Sequence, residues 1–194
     1  SVRPDVALLL SQYRLDDIAR RVVGVGSVGT RCLLLMLRGP SGEPLVLQIK
    51  EAGQSVLESH GHVGQPDFFG PIGSPDREGR RVVSYQHVLQ ASSDPFLGHF
   101  SLRGFDFYVR QFHDMKGGID VAGMGTAAYT AYASVCGRTL ARAHAQSRNA
   151  TAISSYLGDS DTFDQAIASY SLAYAAQAVA DFEAVSAHIM PRSR

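Results

Sequence analysis

The sequence predicts an α+β fold: a small antiparallel sheet bearing a glycine-rich hairpin, followed by a helical region with two long helices. Three observations carry this. Extended apolar segments such as "TRCLLLML" and "LVLQIKEA" are confined to the first part of the chain. Dense turn formers separate them, as in "RGPSGEP". After "KGGIDVAGMG" the composition turns alanine-rich, with apolar residues recurring every three or four positions. Strands first and long helices second is the α+β order, not the alternation of a parallel βαβ sheet. The division predicted is a β-rich lobe over 1–118 and a helical region over 119–194, together one folding unit.

Taken in order, residues 5–21 read as short helical pieces, "DVALLLSQY" and then "LDDIARR", whose acidic start and basic end suit the helix dipole. Residues 30–37 and 45–50 pair as an antiparallel hairpin. "EAGQSVLESHG" allows about two helical turns closed at Gly61. A glycine- and proline-rich loop follows, and "RRVVSYQHVLQ" and "FDFYVRQFHDM" read as two further strands. The first long helix spans about 126–147, with Tyr132, Cys136, Leu140 and His144 on one inward stripe. The second starts near Asp161, a suitable N-cap. Its stripe runs through Phe163, Ile167, Tyr170, Tyr174, Ala178, Phe182, Val185 and Ile189.

Composition narrows the function classes. Apolar residues make up 45% and charged residues 19%, with zero formal net charge, which is a globular balance and speaks against a protein built to grip nucleic acid or an anionic membrane. No apolar run approaches the ~18 residues of a bilayer span, and "VALLLSQ" lacks the basic flank and cleavage site of a signal peptide. The expected location is the cytoplasm. Cys32 and Cys136 read as small buried hydrophobes, not as a disulfide or metal pair.

The chemistry turns on "VVGVGSVGT", where Gly24, Gly26 and Gly29 have the spacing G-x-G-x-x-G. A dinucleotide-binding fold needs a helix after the glycines and an acidic residue about 20 positions on. Here a leucine-rich strand and Lys50 stand in those places. A P-loop needs G-K-[ST], and a nucleophile elbow needs G-x-S-x-G; neither is present. The protein-kinase arrangement fits better: a glycine hairpin over the phosphates and a lysine from the third strand. "LQIK" ends in Lys50 as that pattern requires. Glu51 lies on the opposite strand face, so Glu58 is the carboxylate expected to orient Lys50. A plain glycine turn beside a surface lysine is the alternative.

Other candidates carry less. His60 and His62, with Asp67 nearby, do not complete a tetrahedral metal set, and no metal ligands are assigned. His144 reads as a core histidine, and Arg138 with Arg142 as a solvated helix face. Arg110, Asp114 and Lys116 cluster where a kinase-like strand leads toward the base of a nucleotide, and Arg110 is taken as a ligand-facing residue. Tyr170 and Tyr174 read as helix core.

"DDIARRVVGVGSVGTRC", "LVLQIKEAGQSVLE", "FYVRQFHDMKG", "CGRTLARAHAQS" and "YLGDSDTFDQAIASY" together resemble the C-terminal half of the bacterial domain of unknown function 2252 family. The resemblance implies a distant likeness to protein kinases and aminoglycoside phosphotransferases. It also implies a longer family domain whose N-terminal half carries "GDxHxxNFG"-like and "FDxNDFD"-like catalytic and metal-binding segments. Neither segment occurs in this sequence. The expectation is therefore the ATP-binding portion of a kinase-like phosphotransferase, inactive alone, with magnesium as an accompanying ion whose ligands are not in this chain. Gly24, Gly26, Ser27 and Gly29 would cover the phosphates, Lys50 and Glu58 would be the catalytic pair, and Arg110 would assist binding. Partners expected are a nucleotide and either a missing N-terminal half or a second copy of the chain. The alternative is a non-catalytic, pseudokinase-like binding or regulatory module, or a structural one.

Overall fold

Seven exposed residues in a row, four of them charged, form the first strand of the sheet. This is β1 (Arg14–Arg20), preceded by a short helix, α1 (Pro4–Leu10). The computed structural model describes residues 2–22, 24, 28–113 and 117–189. Residues 14–20 were expected to be helical, and the correction has a tertiary cause. Charges at Arg14, Asp16, Asp17 and Arg20 show no alternation. Pairing with the leucine-rich neighbour decides the conformation, as sheet context commonly overrides local propensity. Arg38 on that neighbour grips Asp16 at 2.5 Å, and a bulge between Leu15 and Asp17 adjusts the register.

The expected hairpin is present as β2 (Cys32–Arg38) and β3 (Pro44–Glu51), paired from Cys32↔Lys50 to Arg38↔Pro44. Its turn closes through the Gly39 N–H donating to the Glu43 carbonyl at 2.9 Å, with Gly42 at φ +87°, where a side chain would be strained. Two more strands complete the sheet: β4 (Gly98–Leu102), which the sequence reading missed, and β5 (Phe105–Gln111). The order is β1-β2-β3-β5-β4, every neighbour antiparallel.

Between β3 and β4 the chain makes a single turn, α2 (Val56–Ser59), a 3₁₀ turn at Asp67–Phe69, and then α3 (Arg77–Leu89). The segment 80–90 was expected as a strand because of its β-branched "RRVVS" run, and the structure corrects it. Asp106 on β5 accepts the N–H groups of Asp76 and Glu78 at 2.9 and 2.8 Å, satisfying donors that a helix start otherwise leaves unpaired. Arg77, Gly79 and Val83 are the buried positions of α3. A Cβ at Gly79 would lie 2.5 Å from the Phe107 carbonyl, so glycine permits the close seat of α3 on β4 and β5. The core around this seat includes Leu45, Leu47, Ile49, Phe69, Val83, Leu97 and Phe107. Burying a side chain such as Phe69 contributes roughly 1.5–3 kcal/mol.

The chain divides into two compact units, Ser1–Gln146 and Ser147–Arg194. The first holds the sheet, α1–α3 and the first long helix, α4 (Thr126–His144). The second holds α5 (Ala150–Leu157), which was not anticipated, and α6 (Thr162–Ile189). Both long helices form as expected, but their apolar stripes do not face inward. No described residue of α4 or α6 is buried, and Val135, Leu140, Phe163, Ile167, Tyr170, Tyr174 and Phe182 are exposed. A stripe at helical period records a face that needs a partner; burial requires the partner as well. His144 is likewise exposed, and Tyr170 and Tyr174 stack on each other at the surface, ring centroids 5.7 Å apart. Cys32 is buried as expected, whereas Cys136 is exposed. Among the described residues no helix is long and apolar enough to cross a membrane.

Candidate functional site

Antiparallel register brings distant basic residues together on one end of the sheet. Lys50 lies opposite Cys32 on β2 and Tyr108 on β5, and Gln48 lies opposite Arg110. Opposed residues project from the same face, so Gln48, Lys50, Tyr108 and Arg110 share one side while Leu47, Ile49 and Glu51 share the other. Arg21, immediately after β1, reaches the same place. A depression of about 230 Å³ results, lined by Arg21, Gln48, Lys50, Arg110 and, at and just past the end of β5, Gln111 to His113. No carboxylate is among its described lining residues.

Each member is held differently. Gln48 is 3% exposed; its amide oxygen accepts from Arg110 Nε at 3.3 Å and its amide nitrogen donates to Cys32 Sγ at 3.5 Å. The Arg21 guanidinium lies 4.6 Å above the Phe112 ring. Lys50 is half-buried, and its side chain makes no hydrogen bond or ion pair with any described residue. Burial pushes the Tyr108 phenol above its ordinary value, which keeps it neutral beside Lys50. A second hollow of about 340 Å³ adjoins across Arg110, with Gln86, Gln90, Ser92, Ser93 and Asp94 on its walls.

The expected Lys50–Glu58 pair does not form among these residues. Glu58 is taken by Arg77, whose two terminal nitrogens donate to its two oxygens at 3.0 and 2.5 Å. Such forked geometry outcompetes a single ammonium for a carboxylate. Arg77 is 3% exposed, also donates to the Gly70 carbonyl at 2.9 Å, and contacts Glu78, which in turn holds Arg81 at 2.7 Å. The hydrogen bonds from Arg77 hold the Glu58 carboxyl below its ordinary range. Glu51, as expected, turns to the other face, where the Arg31 guanidinium and backbone N–H bind it at 2.8 and 3.0 Å.

The glycine loop joins β1 to β2. Gly29 has φ +88°, a conformation side chains rarely adopt, and a Cβ at Gly24 would meet nothing within 4 Å. Gly26 and Ser27 lie outside the described residues, as do Asp114 and Lys116. Among the described residues no group of three His, Cys, Asp or Glu side chains could hold a metal ion. Sequence reasoning found Lys50 and Arg110 but missed Arg21 and Arg77. Arg21 stands three residues before Gly24, yet the ring that orients it comes from Phe112, far along the chain.

Fold and site define an α+β protein whose five-stranded antiparallel sheet carries a cationic depression with no carboxylate among its described lining residues. The chain belongs to the bacterial family described as "Uncharacterized protein conserved in bacteria (DUF2252)", whose family model matches residues 1–188. No curated protein and no solved structure matches it.

Proposed function

We propose that the sheet-bearing unit is the ATP-binding portion of a kinase-like phosphotransferase. The observation that carries this reading is Lys50: a half-buried ammonium on a central strand, unpartnered among described residues, in a depression without described carboxylates. A rigid strand holds the charge where a flexible surface lysine would wander, which suits a fixed counter-charge for phosphate oxygens. The described residues of the depression suit the oxygens of a triphosphate.

The described residues lining the depression include no carboxylate to hold the accompanying magnesium, so no step is assigned to that ion. Kinase turnover further depends on a lysine–glutamate pair, and here Glu58 is committed to Arg77. That favours a second reading, in which the chain binds nucleotide without turning it over, as a pseudokinase-like module does. Under both, the chain alone should bind ATP and transfer no phosphate.

The test is a thermal shift of the full chain with Mg-ATP, alongside Lys50→Ala. Ligand at about 100 times its dissociation constant stabilises by about 2.7 kcal/mol, several degrees for a chain of this size. A shift seen in the wild type and lost in Lys50→Ala supports the assignment. An undiminished shift in the variant removes Lys50 from it, and turnover by the purified chain overturns the claim, common to both readings, that the chain alone transfers no phosphate.

A further inference from the structure

Resting on the nucleotide reading above, we propose that the phosphate anchor is a three-cation clamp, Arg21, Lys50 and Arg110, which recognises the triphosphate chain itself. Inorganic triphosphate then occupies the same site. Arg21 is the residue that the glycine and lysine pattern does not foretell. Its backbone is fixed by the N–H bond to the Cys32 carbonyl at 2.9 Å, and its guanidinium plane by the Phe112 ring. Stacking uses the face of a guanidinium and leaves its N–H edge free to fork onto phosphate oxygens.

Arg110 is aimed by a different device. Its Nε donates to Gln48, and Gln48 is itself buried and tethered to Cys32, so the guanidinium is tied at one nitrogen, with its terminal nitrogens bonded to no described residue. Three cations around about 230 Å³ repel one another unless an anion lies between them. Elsewhere around the sheet, Arg31 and Arg38 each hold a carboxylate. The depression is smaller than the ~300 Å³ at which whole-ligand pockets begin, so it suits a phosphate chain with the nucleoside lying outside it.

Isothermal titration of the full chain with inorganic tripolyphosphate, ATP and adenosine decides the matter, using wild type, Arg21→Gln, Phe112→Leu and Lys50→Ala. Tripolyphosphate should bind and displace ATP, while adenosine should displace neither. Arg21→Gln should weaken tripolyphosphate roughly tenfold or more, the loss expected for a charge-assisted hydrogen bond. Phe112→Leu should weaken it less, because the arginine remains but loses its orientation. Unchanged affinity in a folded Arg21→Gln protein overturns the clamp. Binding of ATP without tripolyphosphate also overturns it, and leaves the nucleotide reading standing. Binding of tripolyphosphate without ATP supports the clamp and removes that reading. Binding of neither removes both.

Discussion

Two groups of basic side chains in the same unit are handled in opposite ways. Around Arg77 opposite charges are paired: Glu58 in a fork, Glu78 beside it, Arg81 beyond, all largely out of water. Around Lys50 three cations converge with no described carboxylate among them. The first arrangement is complete within the protein and pins the 52–76 segment to the start of α3. The second is electrostatically open among the described residues, which is the pattern expected of charges kept for something that comes from outside. Under the proposed nucleotide reading, equal charge types on neighbouring elements serve structure in one place and recognition in the other.

The contrast can be broken most directly at Arg77. Arg77→Met leaves the Glu58 and Glu78 carboxylates without their guanidinium and should cost about 3 kcal/mol, read from urea denaturation, because removing one partner strands the others in a poorly hydrated place. A cost near zero would mean that the buried network is decorative. Acid provides the next largest effect. Arg77 depresses the Glu58 carboxyl in the folded chain, so this contribution is fully present above the ordinary glutamate range. It is lost as pH falls through the lowered folded-state value. The denaturation midpoint should therefore drop on acidification from pH 7, and the Glu58 share of that drop should be missing in Arg77→Met. The smallest effect belongs to the other group. Lys50→Met should change stability by no more than about 0.5 kcal/mol, since no described partner is lost. Any gain from relieved repulsion should fade as sodium chloride is raised. A large destabilisation there would show that Lys50 is structural after all.

Much of the sheet was legible because its strands are apolar on a period or a run: β2 and β3 with their glycine turn, and β5. What escaped did so for identifiable reasons. β1 is an edge strand with all seven residues exposed, so its sequence carries no inward face, and its charge order imitates a helix. α3 holds consecutive valines that favour strands, and what makes it a helix is Asp106, a carboxylate arriving from β5. The long helices were legible as helices, but their exposure was not, since a stripe says nothing of what covers it. At the site, Lys50 was readable from its strand and glycines. The partner of Glu58 was not, because Arg77 lies beyond a loop whose path no local pattern gives. Arg21, Lys50 and Arg110 become neighbours only through the register of four strands.

That register has its own guardian in Gln48. An amide set among leucines looks like a weakness in a central strand, yet it is satisfied on both sides, by Cys32 and by Arg110. Sliding β3 by a single residue would turn Gln48 onto the leucine-bearing side and carry Leu47 and Ile49 to the polar one. Leucine-rich strands alone are forgiving of such slips; one polar residue with fixed correspondents is not. Gln48 therefore acts as an alignment mark, so that wherever the sheet has zipped correctly, Lys50 has already been delivered between Cys32 and Tyr108.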